Sequence, residues 1–277
     1  MKTVLDVLQA TSAYFAKAGV DSARLNIELL LAHVLGKKRM ELYLEFDRPL
    51  GEKELEPLRE LVKRRAQGEP LQHLLGNVEF LGRTFLSDKR ALIPRPETEL
   101  LAERLLKSQV PPPSRVLDVG TGSGVLALTL AAAWADAEVH AVDISQEALA
   151  LSRANAEALG LLERVTFHHG NLLEPLTGEF GLIVANLPYV PSGDLPGLSR
   201  EVQHDPKLAL DGGPDGADLI RRLVANARPF LRGTLALEIG HEQSTGLAHE
   251  LAEAGYRDIQ PSSDYQGRNR FLFASYG

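Results

Sequence analysis

The feature that most constrains the fold is the stretch Gly181-Leu-Ile-Val-Ala-Asn-Leu-Pro-Tyr189. Leu182-Ile183-Val184-Ala185 is short and wholly apolar, the pattern of a strand buried on both faces of a parallel sheet. Pro188 cannot donate to a ladder, so the strand must end before it. Open α/β sheets bind ligands beyond the carboxyl ends of their strands. Asn186 and Tyr189 are therefore expected in a cleft. A neutral amide, a rigid turn and an aromatic ring suit a flat, uncharged polar group, such as an amide or an amino-substituted base. The bland reading is an ordinary strand-to-loop turn, since Asn and Pro are common there, and alone the tetrapeptide is moderately specific.

The remaining chain supplies a frame for that strand. From Ser114 onward, strands are predicted at 115–119, 138–142, 165–168, 182–185, 234–239, 256–259 and 271–274. Helices are predicted at 125–134, 146–159, 216–230 and 244–254. Such alternation specifies a doubly wound parallel sheet. The last two strands have no helix between them and should pair antiparallel.

Residues 1–67 read as helical throughout. Val4, Leu5, Leu8 and Ala10 begin an apolar stripe that Gly19 closes as a helix C-cap. Asp21 or Ser22 is expected to cap a second helix that stops at Gly36, and shorter helices follow at 38–45 and 51–67. Residues 68–113 hold a hairpin at 78–86, turning at Leu81-Gly82, and a helix opened by Pro96 that runs to about Lys107. Pro111-Pro112-Pro113 is a stiff spacer. The expected division is 1–67, 68–113 and 114–277. The helical part serves equally as a structural cap or as a partner-docking domain.

A second motif decides the chemistry. Val116-Leu-Asp-Val-Gly-Thr-Gly-Ser-Gly-Val125 follows a strand and opens a helix. A dinucleotide fingerprint needs Gly-x-Gly-x-x-Gly, and position 125 is Val. The tighter spacing of Gly120, Gly122 and Gly124, with Asp118 two residues ahead, is that of methyltransferases using a nucleoside cofactor. Glycines let the backbone approach a ligand without a Cβ clash. The helix N-terminus beyond can hold a carboxylate. Thr121 and Ser123 complete the loop. Asp143, followed by Ile144, ends the next strand where an acidic residue grips ribose hydroxyls. Asn171 and Leu172 follow the third strand, placed for an adenine edge and face. The cofactor so indicated is S-adenosyl-L-methionine, with S-adenosyl-L-homocysteine as product.

Other features carry less. There is no Cys, so disulfides and thiolate metal sites are excluded, which fits a cytoplasmic protein. His73, His204 and His241 are isolated, and no spacing resembles a metal site. No apolar run approaches the ~20 residues of a membrane span. The net charge of −7 argues against a broad nucleic-acid surface.

With these motifs in view, the chain resembles the bacterial protein-(glutamine-N5) methyltransferases of peptide release factors over nearly its whole length. The resemblance rests on Leu29-Leu-Leu-Ala-His-Val-Leu-Gly36, Phe80-Leu-Gly-Arg-Thr-Phe85 and Leu92-Ile-Pro-Arg-Pro-Glu-Thr-Glu99. It continues in Asp118-Val-Gly-Thr-Gly-Ser-Gly124, Ala209-Leu-Asp-Gly-Gly213 and Glu238-Ile-Gly-His-Glu-Gln243. One departure stands out: the family's usual tetrad is Asn-Pro-Pro-Tyr, and position 187 is Leu.

The resemblance implies a seven-stranded, Rossmann-like class I methyltransferase domain behind a small helical domain. It implies a class I peptide chain release factor as partner, with the glutamine of its Gly-Gly-Gln loop as acceptor, and neither direct nucleic-acid nor membrane binding. It also implies that the Asn186 side chain and the Leu187 carbonyl hold the substrate amide. Pro188 and Tyr189 would wall the pocket, and Arg95, Glu97 and Thr98 would shape its mouth. Two rival readings share some of these residues: an amino-methyltransferase of flipped nucleic-acid bases, and a non-catalytic cofactor-binding module.

Overall fold

The computed structural model describes residues 2–277. The chain divides into two compact units, one formed by residues up to Asn77 together with Ser199–His204, the other by Val78–Leu198 and Asp205–Gly277.

The first unit is helical. Helix α1 (Val4–Lys17) opens with a reciprocal cap: Asp6 N–H donates to Thr3 Oγ1, and Thr3 N–H donates to the Asp6 carboxylate. Gly19 follows it with φ +75°, as expected of a helix stop. Helix α2 (Ala23–Leu35) starts differently from expectation. Ser22 occupies the cap position in a left-handed conformation, and its side chain makes no capping bond. The Asn26 amide instead reaches back to the Asp21 and Ser22 carbonyls. A 3₁₀ turn (Arg39–Leu44) and helices α3 (Glu52–Ala66) and α4 (Leu71–Leu75) complete the unit.

The helical unit runs past residue 67, where a linker was expected. Leu74 of α4 is buried in the same apolar core as Val4, Leu8, Phe15, Ile27 and Leu31. Residues 199–204 also join this unit: buried Arg65 donates to Asn26 Oδ1 at 2.6 Å and to Glu201 at 2.5 Å.

The second unit begins with the expected hairpin, β1 (Asn77–Phe80) and β2 (Arg83–Leu86), then α5 (Pro96–Ser108). A seven-stranded sheet follows, built from β3 (Arg115–Val119), β4 (Glu138–Asp143), β5 (Val165–His169), β6 (Phe180–Asn186), β7 (Leu231–Glu238), β8 (Arg257–Ser263) and β9 (Asn269–Tyr276). Their spatial order is β5-β4-β3-β6-β7-β9-β8. The first five are parallel, and β9 runs antiparallel to both β7 and β8.

Helices α6 (Val125–Ala133), α7 (Gln146–Ala158), α8 (Asp218–Ala227) and α9 (Ser244–Glu253) cover the sheet. Alternate strand residues feed two cores: Val116, Leu182 and Val184 enter one, and Leu117, Ile183 and Ala185 the other. Burial on both faces is why these strands read as continuous apolar runs. No helix of the described residues is long and apolar enough to cross a membrane.

Candidate active site

Beyond the carboxyl ends of β3, β4 and β6 lies a cavity of about 260 Å³. Gly120, Thr121, Gly122 and Ser123 line it from the loop after β3, and Asp143 and Ile144 from the end of β4. Asn171 and Leu172 reach it from the segment after β5, and Asn186, Leu187 and Pro188 from the end of β6.

The glycine loop is held from below. Gly120 and Thr121 N–H both donate to the Val142 carbonyl, at 2.9 and 3.0 Å. Asp118 is buried and its Oδ2 accepts the Thr121 hydroxyl at 2.6 Å and the Ala127 N–H at 3.1 Å. One first-turn N–H of α6 is thus already committed to a carboxylate. Burial pushes the Asp118 pKa up to about 7, against those two bonds. Its Oδ1 has no hydrogen-bond partner.

Asp143 ties two loops together. Its Oδ2 accepts Gly122 N–H and its Oδ1 accepts Ser145 N–H, each at 2.9 Å. Burial raises its pKa above the ordinary carboxylate range, opposed by the backbone bonds from Ser145, Gly122 and Ile144.

The three glycines have separate reasons. A Cβ at Gly120 would stand 2.9 Å from Leu187 Cδ2, whereas one at Gly122 would meet only Ala91, at 3.9 Å. Gly124 does not line the cavity. It caps α6 with φ +85°, and a Cβ there would stand 2.3 Å from Ser152 Oγ, so it serves helix packing. Leu172 adopts φ +53°, an uncommon conformation for Leu, and is buried against the cavity. Asn171 donates to Glu174 Oε1 at 3.0 Å. Bare backbone at Gly120–Gly122, one carboxylate across from it and an apolar wall at Leu172 fit S-adenosylmethionine.

Asn186 sits in a buried polar network. The β6–β7 register pairs it with Glu238. Between them stands Thr98, on the first turn of α5. Asn186 Nδ2 donates to Thr98 Oγ1 at 3.0 Å, and the Thr98 hydroxyl donates to Glu238 Oε2 at 2.8 Å. Tyr189 O–H donates to Glu238 Oε1 at 3.4 Å. Burial, and then the Glu238 charge, push the Tyr189 pKa up, so its hydroxyl stays protonated.

Three residues expected at the pocket stand outside it. Tyr189 borders a neighbouring concavity, with its ring beneath the Arg270 guanidinium at 5.7 Å. Arg95 turns its Nη2 to the buried Asp205 at 2.6 Å, and the other Asp205 oxygen accepts Ile93 N–H at 3.1 Å. The Arg95 guanidinium is thereby used in fixing the entry turn. Glu97 is half-buried on the first turn of α5, where its charge pushes the pKa of both Glu238 and Tyr189 up.

Sequence reading passed over Glu238, Asp205 and Asn155 as working residues. Asn155, on α7, accepts Leu86 N–H at 2.6 Å and donates to the Ser123 carbonyl at 2.9 Å, joining the hairpin to the glycine loop. Two signals marked Glu238: it opens the family-like stretch Glu238–Gln243, and it ends an apolar strand, where a charge needs a reason. Among the described residues no cluster of His, Cys, Asp and Glu could hold a metal ion.

Comparison with known proteins gives the family and the fold. Residues 6–76 match the family profile described as PrmC N-terminal domain, and residues 96–197 match the methyltransferase small domain. The release factor glutamine methyltransferase of Deinococcus radiodurans is 46% identical, with 97% of each chain covered. That of Geobacter sulfurreducens is 42% identical over 99% of this chain and 97% of its own. Among solved structures, a methyltransferase from Pyrococcus furiosus superposes with a TM-score of 0.53 at 18% identity, covering 71% of this chain and 90% of that one. A T. thermophilus 16S rRNA methyltransferase gives 0.52 at 23% identity, covering 73% and 50%. These two likenesses speak for the fold alone. The long, near-complete match to the bacterial relatives goes further: the chain belongs to the release factor glutamine methyltransferase family.

Proposed function

We propose that this protein transfers the methyl group of S-adenosylmethionine to the side-chain amide nitrogen of a glutamine, in the Gly-Gly-Gln loop of a class I peptide release factor, in the cytoplasm and in support of translation termination. The observation that carries this reading is the meeting of Asn186, Leu187 and Pro188 with the Gly120–Ser123 loop in one cavity. Methyl donor and amide acceptor can then share a small enclosed space.

The chemistry follows from the acceptor. An amide nitrogen is neutral, and its lone pair is delocalised into the carbonyl. Bound S-adenosylmethionine supplies an electrophilic methyl on a positively charged sulfur. Asn186 Oδ1 and the Leu187 carbonyl each accept one amide hydrogen, which aims the nitrogen lone pair and stabilises the positive charge developing there. A carbonyl is present whatever the side chain, so Leu187 keeps the acceptor that a proline would give. Pro188 restricts the backbone of the residue before it, which supplies part of the missing stiffness. The nitrogen proton becomes acidic as the bond forms, so a strong base is not required. Asp143 would accept from the cofactor's hydroxyls, and Leu172 would pack on its base.

Selection of one protein among many needs a larger surface than a glutamine pocket provides. The helical unit is proposed to dock the release factor. Supporting this, its 3₁₀ turn leaves Met40 64% and Leu44 86% exposed.

Mass spectrometry of release factor and of RNA, each incubated with the enzyme and S-adenosylmethionine, tests the reading. One added methyl on the loop glutamine is expected. Methylated RNA with unmodified release factor would overturn it.

A further inference from the structure

We infer that Glu238, acting through Thr98, is a positioning residue that decides which end of the Asn186 amide faces the substrate. This rests on the proposed role of Asn186 as an amide acceptor. The oxygen and nitrogen of an Asn side chain are nearly equal in size, so packing alone does not choose between the two orientations. A flipped Asn186 would present donors to an amide NH₂ that has only donors to offer.

The hydrogen-bond network makes the choice. Ionised Glu238 can only accept. The Thr98 hydroxyl has one proton, and at 2.8 Å that proton goes to Glu238 Oε2. Thr98 Oγ1 is left as an acceptor, so the group facing it at 3.0 Å must be the Asn186 NH₂. Oδ1 is then the end available to substrate. Asn186 and Glu238 are register partners at the ends of adjacent strands, so the sheet itself fixes the span that Thr98 bridges. Glu238 and Thr98 are both almost fully buried, which leaves few competing waters.

Protonation reverses the choice. A neutral Glu238 can donate to Thr98, whose proton is then free to bond Asn186 Oδ1 in the flipped orientation. The groups facing Glu238 are Glu97 and Thr98 from α5, Tyr189 after β6 and Arg270 from β9. Burial, then Glu97, push its carboxyl up; Thr98, Arg270 and Tyr189 pull it down, and it settles at about 7. Turnover is therefore high above this pH and falls as pH drops through it.

The experiment is kcat against pH, from 5.5 to 9, on folded full-length protein, with S-adenosylmethionine affinity followed by calorimetry at each pH. The parent should lose about tenfold in kcat per pH unit on the acid side, as a single required ionisation gives. Glu238→Gln and Thr98→Val should lower kcat at pH 8 by roughly tenfold or more, the scale of losing one preorganised polar group, and flatten the acid limb. Thr98→Ser should restore most of the rate lost in Thr98→Val, together with the limb. Asp118, the other carboxyl pushed to about 7, would show itself in cofactor affinity instead. If Glu238→Gln keeps the parental kcat and limb while Asn186→Ala is inactive, the positioning role is wrong and the acceptor role stands. If Asn186→Ala is itself active, the acceptor role has failed first.

Discussion

Leu187 lies over the α-carbon of Gly120, so close that a Cβ on residue 120 would stand 2.9 Å from its Cδ2. The residue that departs from the family's usual tetrad is thus packed against the cofactor loop and 4% exposed. Gly120→Ala should lower the melting temperature and weaken S-adenosylmethionine binding. Adding Leu187→Ala removes the clash but leaves the cost of φ +74°, about 1 kcal/mol, so recovery should be partial. Calorimetry and thermal melts of the single and double variants check this. A Gly120→Ala protein as stable and as tightly binding as the parent would contradict it.

Asp143→Ala should weaken S-adenosylmethionine binding by roughly 1–3 kcal/mol, the range for losing a hydrogen bond to a charged group. It should also loosen the glycine loop, because Gly122 N–H loses its acceptor. Titration calorimetry reads the first effect, and amide exchange at Gly122 the second. Equal affinity in variant and parent would remove Asp143 from the binding site.

Asn186→Ala should leave cofactor affinity within a few-fold and lower turnover by about 10²–10³, the scale of a lost preorganised group. Leu187→Pro should stay active, since its carbonyl persists. Single-turnover kinetics on release factor distinguish the two, and a merely few-fold loss in Asn186→Ala would refute the amide-holding geometry.

Exchanging Met40 and Leu44 together for Glu should raise KM for intact release factor at least about tenfold, the scale of losing one or two contact anchors. KM for a short Gly-Gly-Gln peptide should stay the same. Equal shifts for both substrates would mean that this exposed turn does not dock the partner.

Asp118 also makes a stability prediction. Its pKa is raised to about 7 in the folded chain, so the folded state holds more protons than the unfolded one between about pH 4 and 7. Stability attributable to this group is therefore greatest at the acid end and declines as pH rises through that window. Asp118→Asn should flatten its contribution to the pH dependence of urea midpoints. A slope identical to the parent's would show that Asp118 does not titrate there.

The order of elements was legible because each obeys a local rule. The apolar run before Asn186, the glycines at 120, 122 and 124 and Asp143 all announce themselves by spacing. What escaped depends on which strands become neighbours. Glu238 reaches Asn186 only because β7 lies beside β6 in one register. Arg95 was expected at the pocket mouth, but Asp205 claims it from 110 positions away. Ser22 reads as a cap, but Asn26 takes over by reaching back to the Asp21 and Ser22 carbonyls, its own side-chain oxygen held by Arg65. Each miss is a side chain whose partner is set by tertiary topology, which a one-dimensional pattern does not encode.

The loan of residues 199–204 to the helical unit has an evolutionary consequence. The covalent chain passes between the units at 77–78, again at 198–199 and again at 204–205. The front unit is therefore not a detachable module. Recombination at a single breakpoint near residue 77 would exchange Arg65 but leave behind Glu201, its ion-pair partner. A graft of this helical unit onto another methyltransferase must carry two separate pieces of sequence, and the second begins at Ser199, on the loop downstream of Asn186-Leu-Pro-Tyr189. Changes in one piece must be matched in the other, so the helical front and the loop following the amide-binding turn are tied to change together.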